Sequence, residues 1–293
     1  MLGFRQIVWC RSEIAYGAKR GRRCGEDTPS PVHTSAVEAQ AGAGAGILRA
    51  VTTVRLDIEY DGSSFKGWAA QPGLRTVQGE LEAALATVLR EPVQLTVAGR
   101  TDAGVHALGQ VASFVTSAEI QGDLARRLNG VGPDDIAITT AAVVEDDFDA
   151  RHSAKARSYR YRLLARSAPS PFEQGRALWW PHRFDLEALE TCADALVGTH
   201  DFTAFTPTQT DHVRFDRDVL AASWALEEDI LTFQITADAF MRNMVRILVG
   251  TMLEVSSGRR TPGSFTKLLA GAPRSATGDT APPHGLYLEK VSY

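Results

Sequence analysis

Cysteine is scarce in this chain: three in 293 residues, at Cys10, Cys24 and Cys192, with no paired spacing. That argues against a disulfide framework and for a reducing, cytoplasmic setting. No apolar run approaches the roughly 20 residues that a membrane-spanning helix needs, so no membrane partner is expected. The seven histidines include no His-x-x-x-His spacing, and no metal site is read from them. Charge of one sign is also lacking. The formal net charge is −4, so any nucleic-acid partner must be held by a local basic patch rather than by a global field. What remains is an apolar fraction of 44% and a charged fraction of 23%. Those values suit a globular enzyme of one large domain or two ordinary ones.

Residues 1–50 differ from the rest. Lys19, Arg20, Arg22 and Arg23 cluster, Pro29-Ser30-Pro31 follows, and Ala41 to Gly46 alternates alanine with glycine. Without a sustained apolar period, this stretch is read as a disordered leader or linker, or as an over-long start. Glu13, Glu26 and Asp27 speak against a targeting peptide.

The stretch that organises the chain is Gly99-Arg100-Thr101-Asp102-Ala103-Gly104-Val105-His106. It lies between two strand-like runs, Val93 to Ala98 and Val111 to Val115, and loops between strands carry chemistry more often than packing. Gly99 and Gly104 permit a tight bend or a close approach to a ligand. Three readings compete for it. Asp102 caps a turn, or forms an acid–base pair with His106, or acts as a nucleophile. The loop alone does not choose.

Around it, Val54 to Tyr60 alternates apolar with polar and reads as a strand. Thr76 caps a helix carrying Val77, Leu81, Ala84, Leu85 and Val88, which Pro92 is expected to stop. A short helix over Asp123 to Leu128 and a strand over Ile136 to Val144 complete a first α+β unit. Asp149 to Arg162 mixes basic and aromatic residues. If Arg157 to Leu164 is a strand, Arg157, Tyr159, Tyr161 and Leu163 share one face. That suits either phosphate neutralisation with base stacking or a half-buried strand with a solvated face. Leu186 to Leu196 reads as a helix, and Val219 to Leu226 with Leu231 to Ala237 as a strand pair. Phe240 to Val255 reads as a helix with Arg242 and Arg246 four apart on a common face. Gly285 to Val291 reads as a final strand. The expected class is α+β. Residues 51–148 form one domain carrying the Asp102 loop, and residues 149–293 form a second.

Four segments in order resemble the bacterial tRNA pseudouridine synthase A family. They are Glu59-Tyr60-Asp61-Gly62 with Gly67-Trp68; the Gly99 to His106 run; Arg157-Ser158-Tyr159-Arg160-Tyr161; and Ala239 through Met244-Val245-Arg246 to Gly250. Gly285-Leu286-Tyr287-Leu288 adds a fifth. Together they cover Val54 to Tyr293, and the Gly99 to His106 run is the specific one. Ala69 departs from the family's usual glutamine, and Thr206 to Phe215 departs from its usual pattern. The resemblance implies two α/β halves whose antiparallel sheets join into one central sheet, with helices on one side and a cleft between. It implies a homodimer acting on tRNA, isomerising uridine to pseudouridine at positions 38, 39 and 40 of the anticodon arm without cofactor or metal. It places Asp102 on the catalytic aspartate, Tyr159 on the active-site tyrosine and Arg246 on the aspartate's basic partner.

On this reading the target base must leave its stack, because it cannot turn inside a helix. Asp102 acts as nucleophile on sugar or uracil. Arg246 offsets the cost of burying its charge. Tyr159 stacks on the uracil and takes or gives a proton. Arg100, Arg157 and Arg160 are candidates for phosphate contacts, and His106 is structural or RNA-facing. The alternatives are the same chemistry on other RNAs, an RNA-binding module without catalysis, and an Asp102–His106 hydrolase.

Overall fold

The computed structural model describes residues 51–210 and 213–293; the leader expected over residues 1–50 lies outside them. The first strand follows from alternation: β1 (Thr52–Tyr60) buries Val54, Leu56, Ile58 and Tyr60 on one face. The Thr76 side chain accepts the Gly79 N–H and starts α1 (Val77–Leu89). The helix ends before Pro92 is reached. Arg90 takes a left-handed conformation with φ 60° and donates its N–H to Ala86 O, so the chain has already turned away. Of the run 93–98, only Thr96–Val97 (β2) pairs as a strand, since the Leu95 N–H is taken by the Glu82 carboxylate.

Strand β3 (His106–Thr116) begins five residues earlier than its apolar run, because Gly109 and Gln110 break the alternation. Asp123 caps α2 (Leu124–Asn129), and β4 (Ile136–Val143) follows. The second half runs β5 (Ala156–Leu164), β6 (Leu178–Trp179), α3 (Leu186–Asp194), β7 (Gly198–Asp201), β8 (Asp216–Glu227) and β9 (Ile230–Ala237). It ends with α4 (Met244–Ser256), α5 (Pro262–Thr266) and β10 (Leu286–Ser292). Helix α4 starts later than its apolar pattern indicates. Asn243 sits at φ 60°, so Phe240 and Arg242 belong to the loop before it. The expected helical pair of Arg242 and Arg246 does not form.

Among the described residues these strands build one ten-stranded sheet in a mixed α/β fold, in the order β4-β1-β3-β10-β5-β9-β8-β7, with β2 on β3 and β6 on β5. Neighbours are antiparallel except β10 with β3 and β6 with β5. The seam matters most. β10 comes last of the strands, yet it lies between β3 of the first half and β5 of the second, pairing Tyr287 with His106 on one side and with Arg160 on the other. Leu286, Leu288 and Val291 of β10 are buried. At about 1.5–3 kcal/mol for each such side chain, this strand contributes substantially to holding the halves in register.

Candidate active site

The loop from Gly99 to Val105 is held from below by polar groups buried among apolar ones. Thr101 Oγ1 lies 2.7 Å from the Tyr60 hydroxyl. Gln110, fully buried, donates to the Gly99 carbonyl at 2.8 Å and to the Tyr60 hydroxyl at 3.4 Å. From the side, the Trp68 N–H donates to Thr101 O and the Gly104 N–H to Phe65 O. Two glycines make that approach possible. A Cβ on Gly62 would sit 2.0 Å from Val105 O, and Gly67 has φ +98° with Thr101 O 3.0 Å from where a Cβ would be. The Asp61-Gly62 and Gly67-Trp68 pairs thus buttress the Asp102 loop.

Asp102 is left partly open: its side chain retains 32% of its exposure. Its Oδ2 stands 3.5 Å from Nη1 of Arg246, a residue 144 positions later. Arg246 projects from the first turn of α4, with its side chain 15% exposed. It is fixed independently of Asp102, since Nε donates to Ala281 O at 2.7 Å and Nη1 to Asn243 Oδ1 at 3.1 Å. The backbone closes the same contact, with the Ala281 N–H donating to Arg246 O. The arginine is therefore a rigid fork, and the carboxylate meets it at the outer limit of hydrogen-bond length.

Tyr159 is buried on β5, packed edge-on against Phe240 with ring centroids 4.9 Å apart. A Cβ on Gly99 would lie 3.6 Å from its hydroxyl, so the ring reaches the base of the Asp102 loop. Burial pushes its hydroxyl well above the ordinary tyrosine range, and the charges of Tyr60 and Asp102 push the same way, with Arg157 opposing. The phenol is therefore protonated at neutral pH. Tyr60 is likewise pushed up to about 12 by burial, with its bonds to Thr101 and Gln110 opposing.

The other expected site residues separate. Arg100 is exposed beside Asp102 and has no hydrogen-bond or ion partner among the described residues. Arg157 spends all five N–H groups on carbonyls. Nε and Nη2 donate to Ala98 O, Nη2 also to Arg151 O, and Nη1 to Ala154 O and Asp238 O. It has no donor left for a phosphate and instead ties β5 to the Asp102 loop. Arg160 points to the opposite face of β5, 3.6 Å from Glu289 and over the Tyr287 ring. His106, 3% exposed, does not face substrate. Its Nδ1 accepts the Gly62 N–H at 3.1 Å, which leaves the proton on Nε2 facing Gly175 O and His284 O. Its ring stacks on Tyr287 at 4.6 Å. With both nitrogens committed, an Asp102–His106 acid–base pair has no geometry here.

Four contributors were not singled out from sequence: Tyr60, Thr101, Gln110 and Phe240. Gln110 carried a readable signal, an amide opening an otherwise apolar strand run. A groove of about 410 Å³ lined by Arg55, Val144, Glu145, Asp147, Phe148 and Ser153 contains none of the expected site residues.

A part-open carboxylate 3.5 Å from an anchored arginine, with a buried tyrosine reaching the base of the same loop, is an arrangement that fits an enzyme. Comparison with known proteins narrows it. The family model for tRNA pseudouridine synthase matches residues 58–153 and 192–293. The tRNA pseudouridine synthase A of Acetivibrio thermocellus is 40% identical over 241 residues, covering 82% of this chain and 99% of that one. The enzyme of the same name from Bacillus subtilis is 40% identical over 243 residues, covering 82% and 98%. That of Exiguobacterium sp. is 39% identical over 241 residues, covering 82% and 97%. The chain belongs to the tRNA pseudouridine synthase family.

Proposed function

We propose that this protein isomerises uridine to pseudouridine in tRNA, at positions 38, 39 and 40 of the anticodon arm, with Asp102 as the nucleophile. The observation that carries the reading is the Asp102–Arg246 pair, joined across 144 residues and left partly open to solvent. Isomerisation breaks the N-glycosidic bond, turns the base and rejoins it through C5. Asp102 attacks the flipped nucleotide. Arg246, already anchored on Ala281 and Asn243, holds the carboxylate's direction and offsets its partial burial. Tyr159 supplies a stacking face for the uracil, oriented by Phe240. Because burial keeps its hydroxyl protonated, Tyr159 serves as a hydrogen-bond donor, and the C5 proton leaves to another acceptor. Arg100, exposed beside the carboxylate, contacts the RNA backbone. The names and near-complete coverage of the relatives support the substrate. The cleft between the two halves, a helical layer on one side of the sheet, a homodimer in which one tRNA contacts both subunits, and a cytoplasmic location belong to the same proposal.

The test is to map pseudouridine in tRNA after incubation with the purified protein and with D102N. Product at positions 38–40 with the first and none with the second is expected. Pseudouridine only elsewhere would move the reading to another RNA target, and none at all would leave an RNA-binding module.

A further inference from the structure

Arg217 opens a question that the isomerisation site does not answer. It is 8% exposed, yet no carboxylate lies within 4 Å of its guanidinium among the described residues. Its Nη1 donates to the carbonyls of Arg214 and Asp216, while its buried Nε has no partner. The acidic groups that act on it without touching it are Asp238 and Asp216, and Asp238 has one carboxylate oxygen occupied by the N–H groups of Asp218 and Ala239. A guanidinium taken out of water without a carboxylate in contact is unfavourable, and an arginine in that state is equipped to receive an anion. Burial pulls its proton affinity down, and the charges of Asp238 and Asp216 oppose that without cancelling it.

Its place in the sheet says which anion. Val219 pairs with Ala237, and Ala237 pairs with Arg157. These residues share a face, and Arg217, two positions before Val219, shares it too. That is also the face of Tyr159. β8 lies two strands from β5, about 10 Å at the usual strand spacing, and Arg217 is displaced further along the strands, since Tyr159 aligns through Ile235 with Ala222. The link is continuous: the Asp238 N–H donates to Asp218 O, and Asp238 O accepts from Arg157, which holds Ala98 beneath the Asp102 loop. Arg157, the residue expected to take phosphate, has no donor to spare; Arg217 on the same face does.

We infer that Arg217 is a seat for a backbone phosphate of the tRNA, on the sheet face that carries Tyr159. The planar fork of arginine matches a phosphodiester's oxygens, and Nη2, which has no partner among the described residues and is not among the fully buried atoms, supplies the donor. This assignment rests on the tRNA reading above and deepens it.

The test is the salt dependence of tRNA binding in wild type, R217Q and R217M. R217Q is the primary variant, since its amide can still donate to one of the carbonyls of Arg214 and Asp216 without carrying charge. Removing one phosphate contact lowers the slope of log K against log salt by about 0.7–0.9. The expected result is that drop in both variants, a rise in KM for tRNA exceeding any fall in kcat, and a thermal midpoint for R217Q close to wild type. An unchanged slope and KM overturn the assignment, as does failure of both variants to fold, which would make Arg217 a clamp for its loop. Pseudouridine mapping with the wild-type protein, run beside it, separates the two readings. Product with an unchanged slope sinks the phosphate seat alone, whereas absence of product sinks the isomerase reading whatever the slope.

Discussion

Asp102 and His106 are four residues apart in one motif, and the structure treats them oppositely. His106 is 3% exposed with both ring nitrogens in hydrogen bonds and its ring stacked on Tyr287. Asp102 is a third exposed, with one long contact to Arg246. Arg157 and Arg246 differ in the same way. The first spends every donor on carbonyls, while the second is anchored through Nε and Nη1 and keeps Nη2 without a partner in the described residues. The saturated residues hold the loop; the under-bonded ones are available to a substrate. Burial of polar groups is tolerated where every atom is satisfied, and a reacting group must keep some valence unspent.

The comparison breaks most sharply at Asp102. D102N should drop pseudouridine formation by about a thousandfold or more while tRNA still binds and the melting point barely moves. Activity within tenfold of wild type, measured by single-turnover assay, removes Asp102 from the mechanism. R246A comes next, since it takes away both the partner of Asp102 and the bond to Ala281. It should lose most turnover and about 1–3 kcal/mol of stability, and R246K should recover charge but not full rate. Chemical denaturation alongside kinetics checks it, and a fully active, equally stable R246A contradicts the pairing.

For His106 the order of effects reverses. H106A should destabilise by about 2–4 kcal/mol, because it strands the Gly62 N–H and opens a cavity; the rate of the protein that remains folded should fall less than in D102N. A stable but inactive H106A would return the histidine to the chemistry. Burial holds the imidazole's proton affinity below its ordinary value despite the nearby Asp61, and His284 is lowered as well. The unfolded chain therefore binds protons that the native one refuses. Stability should fall as pH drops through about 6.5 toward the lowered native value, and H106Q should flatten that dependence in a thermal-melt series. Smallest is R157M. It should cost about 1–3 kcal/mol for the carbonyls left unpaired yet leave the salt dependence of tRNA binding as it was. A shallower slope would make Arg157 a phosphate ligand after all.

Much of this was legible in the chain. The alternation in β1, the Thr76 cap and the Tyr159 face of β5 follow from local rules, and the Gly99 to His106 run carries the pattern that singles out the loop. What escaped was non-local. Strand β3 reaches back to His106, where β10 pairs with it, and nothing near His106 announces a partner 181 residues away. The apolar spacing extends α4 too far because Phe240 has the helical interval but packs on Tyr159 from the loop before the helix. The division between phosphate-facing and structural arginines depends on which carbonyls surround each one, and the strand pattern does not contain that.

The seam strand has a temporal consequence. Leu286–Ser292 is made after every other strand, yet it alone bridges β3 and β5. While the chain is still being synthesised, the two halves can each collapse, joined only by side-chain ties such as that of Arg157 to Ala98 O. A nascent chain paused before those seven residues would lack the strand that completes the sheet, so the register between the halves is the last feature of the fold to be set.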